Sequence, residues 1–108
     1  MATTYKILGQ SAPAATTNTD LYTTPSGNSA VVSTLAICNR GVSATYRVAV
    51  RPNGATLANS HYLVYDNAIN QYDSVFLTLG VTMSGNDVIT VYSSTANLSF
   101  SAFGSEIS

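Results

Sequence analysis

Apolar and polar residues alternate along most of this chain with a period of two, and no stretch sustains the 3.6-residue apolar period of an amphipathic helix. The alternation is clearest in residues 29–51, SAVVSTLAICNRGVSATYRVAVR. Val31, Leu35 and Ile37 oppose Val32, Thr34, Ala36 and Cys38, and Tyr46, Val48 and Val50 oppose Thr45, Arg47, Ala49 and Arg51. The pattern predicts two strands joined as a hairpin at Asn39-Arg40-Gly41, with Gly41 supplying the positive φ of a tight reversal.

Further strands are expected at residues 4–10, 21–24, 61–66, 74–81, 88–93 and 97–104. Pro25-Ser26-Gly27-Asn28, Pro52-Asn53-Gly54-Ala55 and Ser84-Gly85-Asn86-Asp87 have the composition of turns, and residues 67–73 read as a polar connection. In 74–81, Val75, Leu77, Leu79 and Val81 point inward, which leaves Phe76 on the wet face as a loop-covered ring or an interface anchor. Seven or eight short strands with regular turns predict an all-β chain, a single antiparallel β-sandwich of immunoglobulin-like or jelly-roll-like type. Residues 11–20, SAPAATTNTD, are too small and polar to anchor themselves, and Pro13 blocks regular pairing. The expected organisation is an N-terminal strand and extended arm over 1–20 and a sandwich over 21–108.

Composition sharpens this picture at the surface. Hydrophobic residues make up 45% of the 108 and charged residues only 8%, where about 25% is usual, so the surface is mainly Ser, Thr, Asn and Ala. Such a surface can be desolvated against a partner at little cost, because few of its groups are ions. Lys6, Arg40, Arg47 and Arg51 are too few for a phosphate-binding face, so no nucleic-acid partner is expected, and the two strand arginines read as solvated or carboxylate-paired. No run approaches the length of a membrane helix and no signal-peptide pattern opens the chain, which predicts a soluble protein with no membrane partner.

Candidate chemistry is sparse. Cys38 is the only cysteine and reads as a small buried hydrophobe, with His61 the single base that could activate it. Asp20, Asp66, Asp73, Asp87 and Glu106 fall on separate turns and form no acid/base pair, so no enzyme activity is expected. Asp66 and Asp73 flank Asn67, Asn70 and Gln71, oxygen donors that could gather Ca²⁺, but their spacing matches no calcium loop, and neither metal nor cofactor is expected. Tyr62, Tyr65 and Tyr72 surround one loop and offer rings either for cross-strand packing or for stacking on sugars.

Lys6-Ile7-Leu8-Gly9-Gln10, Leu21-Tyr22-Thr23-Thr24-Pro25, Cys38-Asn39-Arg40-Gly41, Arg51-Pro52, His61-Tyr62 and the closing residues 98–104 resemble small virion structural proteins of tailed bacteriophages, of the cyanophage and marine-phage type. The resemblance implies a virion component assembled in the host cytoplasm, first as a capsid decoration or cement protein joining neighbouring capsomers. The alternative is a tail, neck or fibre module that joins tail components or binds host glycans. Expected partners are the major capsid protein or tail proteins and further copies of the chain, with a trimer preferred. The residues expected at the interface are Tyr5, Lys6, Ile7, Pro13, Tyr72 and Phe76, with residues 1–20 crossing to a neighbour by strand addition.

Overall fold

A computed structural model of the chain describes residues 2–108. Eight strands carry the fold: β1 (Thr3–Ser11), β2 (Thr19–Thr23), β3 (Ser29–Asn39), β4 (Ala44–Arg51), β5 (Tyr62–Ile69), β6 (Ser74–Ser84), β7 (Val88–Ser93) and β8 (Leu98–Ile107). Single 3₁₀ turns at Pro52–Gly54 and Asn59–His61 are the only helical pieces among the described residues. All pairings are antiparallel. Sheet A has the order β1-β8-β3-β6 and sheet B the order β2-β7-β4-β5. Two four-stranded sheets connected in this order form the doubly Greek-keyed jelly roll. The molecule measures 44 × 27 × 19 Å, a slab whose short axis is the thickness of two packed sheets.

The core lies between the sheets and is built from the alternation in the sequence. Val32, Leu35 and Ile37 of β3, Tyr46 and Val48 of β4, Val91 of β7, and Leu98, Phe100 and Ala102 of β8 are each 0–1% exposed. Val75, Leu77, Leu79 and Val81 of β6 pack against this cluster, as their spacing predicts. The punctuating turns also form where expected. Asn53, Gly27, Gly54 and Asn86 have positive φ, and the Asn28 and Asp87 amides close their turns onto Pro25 and Ser84.

Residues 29–51 do not form a hairpin. β3 pairs with β6 and β8 in sheet A, whereas β4 pairs with β5 and β7 in sheet B, so residues 40–43 carry the chain from one sheet to the other. A period of two fixes which side chains are buried but is silent about which strand lies alongside. Gly41 is accordingly not at positive φ; instead, a side chain there would overlap that of Asn97. Asn39 anchors the corner. It is 1% exposed; its Nδ2 donates to the carbonyls of Val42 (2.8 Å), Asn70 (3.0 Å) and Ile69 (3.3 Å), and its Oδ1 accepts from the Gly41 amide at 3.0 Å.

Of the N-terminal strand and extended arm expected over 1–20, which begins at Met1 outside the described residues, the strand forms as β1 and the arm is a connection followed by a second strand. β1 pairs with β8 from Thr3 to Ser11, residues 12–18 cross to sheet B, and β2 begins at Thr19. β5 continues to Ile69, which is 2% exposed and pairs with Ala44, so the first three residues of the expected polar connection are strand. Strict alternation also fails wherever a bulge intervenes. Between Val32 and Thr34 the register of β3 shifts, so that Val32 and Leu35 both face inward.

Each of the four edge strands meets its neighbour with an irregularity: β1 between Ile7 and Gly9, β2 between Asp20 and Tyr22, β5 twice along β4, and β6 opposite the β3 shift. On β6 the extra residue sits beside Gly80, which takes φ +66°. On β5, Asp66 takes φ +50°.

Candidate interaction surfaces

The two outer faces of the slab differ in kind. On sheet A the outward positions are Tyr5 and Ile7 of β1, Ser99, Ser101, Phe103 and Ser105 of β8, Val31, Thr34, Ala36 and Cys38 of β3, and Ser74, Phe76, Thr78 and Thr82 of β6. None is charged. Tyr5 is 84% exposed, Phe76 70% and Ile7 54%, and Tyr5, Ile7, Val31 and Phe103 border an open groove of about 410 Å³ that also touches Lys6, which is paired with Glu106. The face is roughly 600 Å² by strand spacing and length, near the 800 Å² or so that each partner gives to a specific interface. Cys38 lies exposed on this face, contrary to the buried hydrophobe expected, because it shares the outward register of Ala36.

The outer face of sheet B holds the ions. The Arg47 guanidinium lies 4.3 Å from the Tyr65 ring centre and 4.2 Å from that of Tyr92, with Nε donating to Asp66 Oδ1 at 2.6 Å and Nη2 to Oδ2 at 3.2 Å. Cation–π stacking on both faces and a forked carboxylate contact thus hold Arg47 in place. Its hydrogen bond holds the Asp66 carboxyl below the usual carboxylate range, and Arg47 is raised in turn. Tyr62 meets Tyr65 edge to face, with ring centres 4.9 Å apart. Regular alternation would put these two rings on opposite faces. The register breaks of β5 against β4, with Ala49 opposite Tyr62, Val48 opposite Val64 and Tyr46 opposite Asn67, bring both outward. Nearby, Arg51 donates to Asp20 at 2.9 Å and to Thr90 at 3.0 Å, so both strand arginines are carboxylate-paired.

The remaining ionisable groups serve local structure. Glu106 accepts from Tyr22 at 2.7 Å and from Lys6 at 3.5 Å, tying β8 to β1 in its own sheet and to β2 in the other. The Tyr22 bond is the main reason the Glu106 carboxyl lies below its ordinary range, while burial and the same bond raise the Tyr22 phenol. Asp87 accepts the Asn53 and Ser84 amides, which lower its pKa. His61 Nδ1 accepts the Ala58 amide. Cys38 lies on sheet A beside the β3–β4 corner, whereas His61 ends the 3₁₀ turn before β5, beyond the far end of β4 and at the opposite end of the slab. Asp66 is engaged by Arg47 and Asp73 accepts the Ser74 amide, and among the described residues no three His, Cys, Asp or Glu side chains gather for a metal.

Of the residues expected at an interface, Tyr5, Ile7 and Phe76 share the outer face of sheet A. Lys6 takes the alternate register and reaches Glu106, Pro13 is buried in the crossing between sheets, and Tyr72, 74% exposed, sits in the turn before β6. Phe103 and Val31 went unnoticed as parts of this face, although the alternation of residues 98–104 already set Phe103 outward. Tyr92 and Asp66 were missed as partners of Arg47, because pairing β4 with both β5 and β7 is a matter of topology. No protein-family model, curated protein or solved structure matches this chain.

Proposed function

We propose that the protein is a structural component of a bacteriophage particle, a capsid decoration or cement protein that seats the outer face of sheet A on a neighbouring virion protein. The observation that carries this reading is the face on which Tyr5, Ile7 and Phe76 stand exposed with no charge beyond Lys6, paired with Glu106 beside its groove, in a chain that keeps its strand arginines on the other sheet. Covering such a face costs little desolvation and removes aromatic surface from water. The motif resemblance supplies the particle. With every edge strand interrupted, a flat face offers a more continuous contact than strand addition by residues 1–20. Repetition by symmetry lets a modest contact hold, since many copies on one shell act together.

The native thiol gives a direct test, because Cys38 is the only cysteine and lies on this face. In the free protein it reacts with a bulky maleimide; in the particle-bound protein it is protected, and the pre-labelled protein fails to bind particles lacking it. Phe76→Asp has the same effect on binding without unfolding the chain. Equal labelling of Cys38 in free and bound protein overturns the seating, and a copy number matching one tail or neck ring, not the capsomers, overturns the decoration role.

A further inference from the structure

We propose that the concavity between Asn59, Tyr62 and Tyr65, on the outer face of sheet B, binds a neutral pyranose ring of a glycan. This site is separate from the sheet A face and does not rest on how that face is used. Its volume is about 380 Å³, at the small end of ligand pockets. Tyr62 and Tyr65 meet at 87° and form a corner in which one ring presents a face and the other an edge. Tyr65 stays 58% exposed with Arg47 stacked on it, so much of its ring remains open to a ligand.

A pyranose needs both elements of this corner. Its axial C–H groups form an apolar patch that stacks on an aromatic ring, and its equatorial hydroxyls need donors and acceptors around the rim. Among the described residues, the Tyr62 and Tyr65 hydroxyls and the Asn59 carboxamide have no hydrogen-bond partner within the chain, while Asp66, its side chain 42% exposed, has acceptor capacity beyond Arg47. The arrangement is held by a backbone that a regular strand would not adopt. The register break between Tyr62 and Val64 turns both tyrosines to one face, a second break and the left-handed Asp66 follow directly, and such irregularity is over-represented beside functional sites.

Charge decides the ligand class. The one cation nearby, Arg47, is stacked by a ring on each side and forked by Asp66, which already neutralises its charge and competes with any incoming carboxylate or phosphate. An anionic sugar and a nucleotide would each lack a counter-charge, although either could stack. A neutral hexose meets no such penalty.

The test uses the full chain, labelled with ¹⁵N and titrated separately with methyl β-galactopyranoside, methyl α-glucopyranoside and methyl α-mannopyranoside. A single ring on an open site binds with a Kd of about millimolar order. At least one of the three should shift the amides of residues 59–66 saturably, while N-acetylneuraminic acid binds no tighter. Tyr65→Ala should weaken binding at least about tenfold and Tyr65→Phe by a much smaller factor. Asn59→Ala, in a surface turn, should weaken it without altering the thermal midpoint and so guards against misfolding of the Tyr65 variant. Absence of shifts with all three glycosides, shifts that persist in both alanine variants, or tighter binding of the acidic sugar would overturn the assignment.

Discussion

Replacing Asn39 tests whether the corner between the sheets is held by a single carboxamide. Asn39→Ala removes the three bonds that Nδ2 donates to carbonyls and the one that Oδ1 accepts from the Gly41 amide. The contact to Ile69 is fully buried, where no water can replace it, and its loss costs about 1–3 kcal/mol. The partly buried contacts to Val42 and Asn70 can be replaced in part by water and add about 0.5–1 kcal/mol each. The total is about 3 kcal/mol, and at an unfolding entropy of about 2.1 cal/mol/K per residue over 108 residues it lowers Tm by about 13 °C. Asn39→Asp is worse at neutral pH, because a carboxylate would face three carbonyl oxygens with no donor to offer them; about 4 kcal/mol is expected. That residue would bind a proton more tightly folded than unfolded, so its penalty should shrink as pH falls from neutral toward the ordinary aspartate range and level off below it. Urea unfolding followed by tyrosine fluorescence is the assay, clean here because the chain has seven Tyr and no Trp. A loss below about 1 kcal/mol for the alanine variant, or an aspartate variant insensitive to pH, would refute the argument.

Two other substitutions probe the frame. Tyr22→Phe removes the largest cause of the lowered Glu106 pKa. A lowered carboxyl stabilises the fold fully above its unfolded value near pH 4.5 and loses that contribution as pH falls through the folded value, so the gap between wild type and variant should be present at pH 7 and close on acidification; a gap that widens in acid denaturation curves would contradict the clamp. Gly80→Val should cost about 2 kcal/mol and Gly80→Asn less than half of that, since φ is +66° with open space around the Cα, so the whole effect is backbone strain; equal thermal midpoints for the two variants would show that β6 relaxes instead.

The layer architecture and most buried positions were legible because they depend on a period of two, and Val75 to Val81 or Leu98 to Ala102 display it without interruption. Turn chemistry was legible for the same local reason, as Gly27, Asn53 and Asn86 show. Strand neighbours were not, since they are set by contacts far apart in sequence: Arg47 finds Asp66 and Tyr92 only once β4 is placed between β5 and β7. Cys38 misled because an apolar neighbourhood in sequence spans both faces of a strand. The Tyr62–Tyr65 corner was half visible. Loop proximity grouped the two rings with Tyr72, but the register breaks that join the first pair leave no mark in composition.

The interruptions in all four outermost strands have a consequence for a molecule with so few charges. Open backbone groups on a flat, uncharged border invite copy after copy to add on, the growth mode of fibres, and lysines at that border are the usual deterrent. Here the charges on the borders, Lys6, Asp20 and Asp66, are each paired within the chain, and Leu8, Leu21, Asp66 and Gly80 stand where the borders buckle, so steric mismatch does most of what electrostatic repulsion does elsewhere. Crowding many such slabs side by side can therefore saturate a surface without seeding a filament.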